Sequence, residues 1–278
     1  MHGFRPGHEP KRVAMETVRA VLGPVANYPP GIVGMVTSER TGFYHNSRCL
    51  AWLQKPLGSD FILCEMGAAT VAAGRNNVVA EALRVSAAWL WFMDDDHVFA
   101  PDTLLRLLAR LKDAALVQPL VVSRRSPHHA IVFEDVPVEP TMSDAELVAS
   151  YLAHSRFAAL APHQRGLVDV GHCGTGGLLV DAKVFKALDP PWFEFGKFHH
   201  ASNVGVAGRS VGEDTWFCLR ARRAGFRCCV DLDTPMGHLT TAALWPAPVN
   251  ALGDVKMEVE WDSEAATLRQ RIELHSRY

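Results

Sequence analysis

Apolar positions along the chain fall into two rhythms, short unbroken runs and helical stripes, and the two alternate. Gly31-Ile32-Val33-Gly34-Met35-Val36-Thr37 is an unbroken run and predicts a buried strand. Ser38 to Asn46 is polar and predicts a loop; Ser47 to Gln54 predicts a helix closed by Pro56 and Gly58. Asp60 to Glu65 predicts a second strand, Gly67 to Ala73 a small-residue loop, and Arg75 to Ala88 a helix with Val78, Val79, Ala82, Leu83 and Val85 as its apolar positions. Trp89-Leu90-Trp91-Phe92-Met93 predicts a third strand. Leu104, Leu105, Leu107, Leu108 and Leu111 then make a broad stripe behind Pro101, the signature of an amphipathic helix. Leu116 to Val122 predicts another strand. Strands and helices that alternate through short links imply an α/β fold, a mixed and mainly parallel sheet flanked by helices.

The second half is less regular. Ala130 to Phe133 predicts a short strand, and Ser143 with Glu146 three residues on is a capping box that opens a helix. Leu167 to Val170 leads into the Gly-rich segment Gly171 to Gly177. Leu178 to Val180 predicts a strand, and Asp181 caps a helix that ends before Pro190-Pro191. Residues 194–212 carry little periodicity and predict a long loop. Glu213 to Ala224 predicts a helix stopped by Gly225, followed by a strand from Phe226 to Val230 and a turn-rich approach to His238. Lys11 to Leu22 and Ser263 to Ser276 are helix candidates, and Val255 to Trp261 is a strand candidate.

Composition narrows the class. The 278 residues are 48% hydrophobic and 21% charged with net charge -2, which is ordinary for a soluble globular protein. Nothing in that balance demands a nucleic acid or an anionic membrane, although a local basic groove is compatible with it. The longest apolar run, Ala87 to Met93, is too short to span a bilayer, and the first ten residues lack the apolar core of a signal peptide. Six cysteines without a Cys-x-x-Cys pair predict free thiols in a reducing cytoplasm rather than a zinc knuckle.

Chemistry concentrates where the third strand ends. Five apolar residues run into Asp94-Asp95-Asp96-His97, and the carboxyl end of a buried strand is where an open α/β sheet puts its ligand. Adjacent carboxylates repel, and a divalent cation relieves them; oxygen ligands select Mg2+ or Mn2+, and an imidazole leans toward Mn2+. On an extended chain Asp94 and Asp96 point to one side and Asp95 to the other. Glu213 and Asp214, at a helix start, are candidates for a general base toward an acceptor hydroxyl, or simply an acidic first turn that complements the helix dipole. His238, after Gly237, is a candidate ligand. Gly171 to Gly177 lacks the features of a P-loop or dinucleotide fingerprint and is better suited to a wall beside a substrate.

The order of these features resembles the GT-A glycosyltransferases, in particular the family-two-like branch found in bacteria and phages. The resemblance covers about residues 31–240 and is carried by Ala72-Ala73-Gly74-Arg75-Asn76-Asn77, Met93 to Phe99, Gly174-Thr175-Gly176-Gly177, Asp181 to Phe185, Gly212-Glu213-Asp214 with Cys218, Arg222, Ala224, Gly225 and Phe226, and Gly237-His238. His97 stands where the family's stretch has its last acid. The resemblance implies a GT-A (Rossmann-like) catalytic domain over 31–240, with a nucleotide-binding half (31–122) and an acceptor-side half (123–240). Residues 1–30 and 241–278 are then extensions. It implies a nucleotide-diphosphate sugar donor and a Mn2+ or Mg2+ ion held by Asp96, Asp94 and His238 or His97. Thr37, Glu39, Glu65, Arg75, Asp94 and Asp95 would contact the nucleotide. Gly176, Gly177, Trp192, His199 and His200 would line the sugar and acceptor pocket, and Glu213 and Asp214 would be catalytic.

The acceptor is a hydroxyl of a glycan, a small molecule or a modified DNA base. Phage-type relatives include enzymes that act on the last of these, and Arg124, Arg125, His128, His129, Arg222, Arg223 and Arg227 are candidates for a basic rim that would bind DNA; a solvated basic face is the plainer alternative. The expected location is the cytoplasm, that of the host if the chain is phage-encoded. Two other functions compete. A sugar nucleotidyltransferase shares the acids and the metal but needs a Gly-rich basic loop after the first strand, where this chain has Thr37-Ser38-Glu39-Arg40-Thr41-Gly42. A non-catalytic sugar-binding module has no need of acids at both 94–96 and 213–214.

Overall fold

The structure is a computed structural model and describes residues 28–37, 44–65, 70–123, 130–161, 164–194, 211–239, 253–262 and 267–276. Among these, seven strands form one sheet in the order β2-β1-β3-β7-β5-β8-β6. They are β1 (Ile32–Thr37), β2 (Asp60–Glu65), β3 (Trp89–Met93), β5 (Leu116–Leu120), β6 (Leu167–Asp169), β7 (Leu179–Asp181) and β8 (Cys228–Pro235). β1 runs parallel to β2 and β3, and β5 parallel to β8, while β7 runs against β3 and β5, and β6 against β8. All strands but β6 and β7 therefore share one direction, as a mixed, mainly parallel sheet requires.

β3 shows why its sequence carries no polar alternation. Every residue from Trp89 to Met93 is buried, because helices cover both faces of the sheet. Leu90 and Phe92 enter the cluster with Val78, Val180, Phe193 and Phe217; Trp89, Trp91 and Met93 enter the opposite one with Leu104, Leu107 and Leu108. The helices are α1 (Tyr44–Trp52), α2 (Val71–Arg84), α3 (Thr103–Arg110), α4 (Asp144–His154), α5 (Ala182–Ala187) and α6 (Glu213–Arg223). The capping box at Ser143 and Glu146 and the Asp181 cap are both present. Among the described residues no helix is long and apolar enough to cross a membrane.

Several boundaries differ from expectation, each for a local reason. α1 begins before Ser47, and α2 begins at Val71 rather than Arg75 because Thr70 caps it, accepting the Ala73 N–H. β8 continues through the segment expected as a turn. There Asp231, 1% exposed, is held by the Arg110 guanidinium and the Thr234 hydroxyl. The expected helix over Ser263 to Ser276 is instead β11 (Thr267–Ser276), paired antiparallel with β10 (Gly253–Asp262). Leu268, Ile272 and Leu274 stand opposite Trp261, Met257 and Val255, so the relevant period is two. The expected helix Lys11 to Leu22 lies outside the described residues.

A two-stranded ribbon decides the site. Asp95 and Asp96 turn the chain out of β3 into β4 (His97–Val98), which pairs antiparallel with β9 (Gly237–His238). His97 and His238 are direct partners in that register.

Candidate active site

The turn after β3 is pinned from beneath. Asn46 on α1, 2% exposed, donates Nδ2 to the carbonyls of Asp94 (3.2 Å) and His97 (2.8 Å). The Leu239 N–H donates to the Asp96 carbonyl at 2.7 Å. The chain is thus not extended across the three acids, and they separate. Asp94 faces Arg75, with Nη2 3.5 Å from Oδ1. Asp95 accepts the Thr37 hydroxyl at 2.6 Å. Asp96 faces the two histidines, with Oδ1 3.1 Å from His97 Nδ1 and Oδ2 3.4 Å from His238 Nε2. The expectation that Asp94 and Asp96 share one side fails because the chain turns between them.

Asp96, His97 and His238 therefore form a carboxylate between two imidazoles, each offering a ligand atom within 4.8 Å of the others. Their rings stack at 4.5 Å and 17°. His238 Nδ1 lies 2.9 Å from the Val122 carbonyl, which can only accept, so Nδ1 carries a proton and Nε2 is the ring nitrogen that faces Asp96. A metal-binding histidine is oriented in this manner. Among the described residues His97 Nδ1 is buried without a hydrogen-bond partner, as suits an atom placed to ligate a cation. Ligands at about 2.1 Å from a cation stand about 3 Å from one another, close to the spacings around Asp96. Burial works to raise the Asp96 carboxyl, but the neighbouring imidazoles, His238 ahead of His97, outweigh it and hold the group well below the usual carboxylate range. The donor set fits a divalent cation. Asp94 lies outside it; its side chain is 36% exposed against 10% for Asp96.

Gly176 explains the Gly-rich segment. A Cβ there would stand 2.6 Å from His97 Cε1 and 2.9 Å from Asp94 Oδ2, so the backbone approaches both groups as closely as a glycine permits. Gly177 ties the segment to the sheet. Its φ is +84°, its N–H donates to Phe92 and its carbonyl accepts the Trp91 indole, which fastens the segment to β3.

The acceptor-side carboxylates sit on the first turn of α6. Glu213 is 7% exposed and is bound by Arg75, whose guanidinium is itself buried. Arg75 is thus occupied by two protein carboxylates rather than open to a nucleotide. Asp214 is half-buried; its Oδ1 accepts the Thr215 N–H at 2.7 Å, and its Oδ2 lies 4.0 Å from where a Cβ on Gly174 would stand. Burial first, then the Glu213 carboxylate, pushes the Asp214 carboxyl up to about 6. Gly174 and Gly176 belong to one short segment, so that segment passes both Asp214 and the Asp94–His97 group.

Other expected residues are placed differently. Trp192 is 8% exposed, donates its indole N–H to the Phe185 and Leu188 carbonyls, and packs on Phe185, so it belongs to the core rather than to a pocket wall. Arg222, Arg223 and Arg227 do not form a free basic rim. Each is taken up by carbonyls and by Asp135, Asp144 and Asp169, respectively. The Glu65 backbone pairs beside Thr37. Glu39, His199, His200, Arg124, Arg125, His128 and His129 lie outside the described residues.

Four supporting residues were given no role by the sequence reasoning. Asn46 has no local signature. Gln118 does: a lone amide in an apolar strand, 1% exposed, it accepts the Gly174 N–H at 2.7 Å. His172 is buried against Phe133, between the hydroxyls of Ser155 and Thr215, and burial pushes its imidazole down to about 4. Asn76 clamps the Trp192–Phe193 backbone through both ends of its amide.

The model of the family described as "Glycosyltransferase like family 2" matches residues 9–250. No curated protein sequence matches. Among solved structures, A197 from STIV is similar over 77% of this chain and 87% of that one, at 12% identity and a TM-score of 0.49. GalNAc-T7 with UDP, GalNAc and Mn2+ is similar over 77% of this chain, at 12% identity and a TM-score of 0.49. The match spans 44% of that second chain.

Proposed function

Because this chain belongs to the glycosyltransferase-like family 2, we propose that it moves a sugar from a nucleotide-diphosphate donor to an acceptor hydroxyl in a metal-dependent, inverting displacement. The catalytic unit is taken as residues 31–240. The observation that carries the proposal is the Asp96–His97–His238 cluster, a carboxylate and two imidazoles, one of them oriented by the Val122 carbonyl, with one glycine segment passing both His97 and Asp214.

Asp96, His97 and His238 would hold the cation. Two imidazoles favour Mn2+ over Mg2+, which prefers an oxygen shell. When bound, the cation supplies stabilisation of the negative charge that develops on the departing diphosphate. Thr37 fixes Asp95 on the donor side, where both sit at the ends of neighbouring strands. The close approach at Gly176 holds the backbone against Asp94 and His97, where a side chain would displace both groups. Asp214 takes the acceptor proton; a carboxylate near 6 is ionised at neutral pH yet basic enough to accept it.

A thermal-shift screen of nucleotide-diphosphate sugars with and without Mn2+ tests this. Ligand at about a hundred times its Kd stabilises by about 2.7 kcal/mol. At least one donor should raise Tm only with Mn2+ present, and Asp96→Ala should abolish that shift. A protein that no nucleotide sugar stabilises would overturn the proposal.

A further inference from the structure

Arg75 reaches in two directions from inside the protein. Nη1 meets Glu213 Oε1 and Nη2 lies 3.5 Å from Asp94 Oδ1, with the Arg75 side chain only 8% exposed. One residue of α2 thereby joins the strand-end acids to the first turn of α6, 138 residues further along the chain. Successive residues of a helix point about 100° apart, so Glu213 can turn inward to α2 while Asp214 turns toward Gly174.

We propose that Arg75 is a positioning residue for the transfer reaction: it draws Glu213 inward and away from the acceptor, and so leaves Asp214 as the carboxylate that receives the acceptor proton. The inference rests on the glycosyltransferase function proposed above. In the step it serves, the acceptor oxygen bonds to the anomeric carbon as its proton passes to Asp214. The bond from the anomeric carbon to the diphosphate oxygen breaks, and its electron pair leaves with the diphosphate.

The charges around Asp214 give the arrangement a distinctive signature. Burial acts on Asp214 most; Glu213 and Cys218 on its own helix raise its proton affinity further, and Arg75 from α2 and the Thr215 N–H oppose them. Glu213 raises the proton affinity of Asp214 and Arg75 lowers it. Removing one or the other should therefore move Asp214 in opposite directions. A pair that merely braced the fold would give a different result, because loss of either partner would admit water and lower Asp214 toward its ordinary value.

The experiment is carbon-13 NMR of the full chain labelled at the aspartate carboxyl, with the Asp214 resonance assigned by its absence in Asp214→Asn. The wild-type midpoint should lie near 6. Arg75→Met should raise it by roughly one unit or more, Glu213→Gln should lower it by a similar amount, and Arg75→Lys should leave it within a few tenths. Midpoints that fall together in Arg75→Met and Glu213→Gln, or that do not move, overturn the proposal. Should Arg75→Met fail to fold, Glu213→Gln and Arg75→Lys decide it: an unmoved midpoint in Glu213→Gln, or one in Arg75→Lys that moves as far, overturns it. No donor or acceptor is needed, so failure here is separate from failure to find a nucleotide-sugar substrate.

Discussion

Replacing Gly176 by alanine places one methyl group between the two chemistries of the site. The new Cβ would stand 2.6 Å from His97 Cε1, 2.9 Å from Asp94 Oδ2 and 3.0 Å from His97 Nε2. The histidine cannot yield easily. His97 is 2% exposed and stacked on His238, so moving its ring disturbs both imidazoles of the cation site. Overpacking of this kind costs about 1–3 kcal/mol, and disturbing the groups that orient metal ligands weakens binding about 10- to 100-fold, or about 1.4–2.8 kcal/mol. Gly174→Ala, in the same segment as Gly176, is the internal control: the nearest neighbour of its new Cβ is Asp214 Oδ2 at 4.0 Å, an ordinary contact. The assay is titration of the apoprotein with Mn2+, followed by calorimetry or by the electron paramagnetic resonance signal of free Mn2+. Gly176→Ala should bind about 10- to 100-fold more weakly, and Gly174→Ala should match the wild type. Unchanged Mn2+ affinity in Gly176→Ala, or an equal loss in both variants, would refute the reasoning.

Further predictions follow from single contacts. Asp214→Asn should abolish transfer while leaving donor affinity intact, and the wild-type rate should climb as pH rises through about 6 and Asp214 ionises; a pH profile flat across that range would remove its role as base. Because the Asp214 proton affinity is raised on folding, its stability contribution is complete below the unfolded carboxylate range and lost as pH rises through about 6. Asp214→Asn should accordingly raise Tm at pH 8 but not at pH 4, read by calorimetric melting at the two pH values. Trp192→Ala should lower stability by about 3–5 kcal/mol through a core cavity, measured by urea unfolding; a loss below about 1 kcal/mol would mean the ring is not packed as described. Arg110→Met strips the guanidinium from the buried Asp231 and should cost about 3 kcal/mol or more, with the deficit shrinking in Asp231→Asn/Arg110→Met on the same unfolding assay.

The sequence made the sheet legible where physics is local. β3 is a five-residue apolar run because both of its faces are covered, and α3 shows its stripe because Leu104, Leu107 and Leu108 all enter one cluster. The caps at Ser143 and Asp181 were readable because a short polar side chain bonds the turn beside it. β11 was missed because its Leu-x-x-x-Ile-x-Leu spacing is compatible with a helix until its partner is known, and pairing with β10 settles the period at two. The site followed the same division. Asp96 and the Glu213–Asp214 turn stood out by their position after a buried strand or at a helix start. The stacking of His97 on His238 depends on a ribbon register between residues far apart in sequence, and no local pattern encodes it. Arg75 was placed in the right neighbourhood, but its contact with Glu213 was not legible, because that carboxylate arrives from another helix. Trp192 was misread for a related reason: an aromatic beside a loop resembles a sugar platform until its indole N–H is seen bonded within the core.

The most direct test of the central claim is release of nucleoside diphosphate from nucleotide sugars, measured for the wild type and Asp96→Ala with Mn2+ and after chelation. The account predicts that at least one donor is turned over by the wild type only when Mn2+ is present, with the rate lost in Asp96→Ala. A protein that turns over none of them, or an Asp96→Ala variant as active as the wild type, would contradict it.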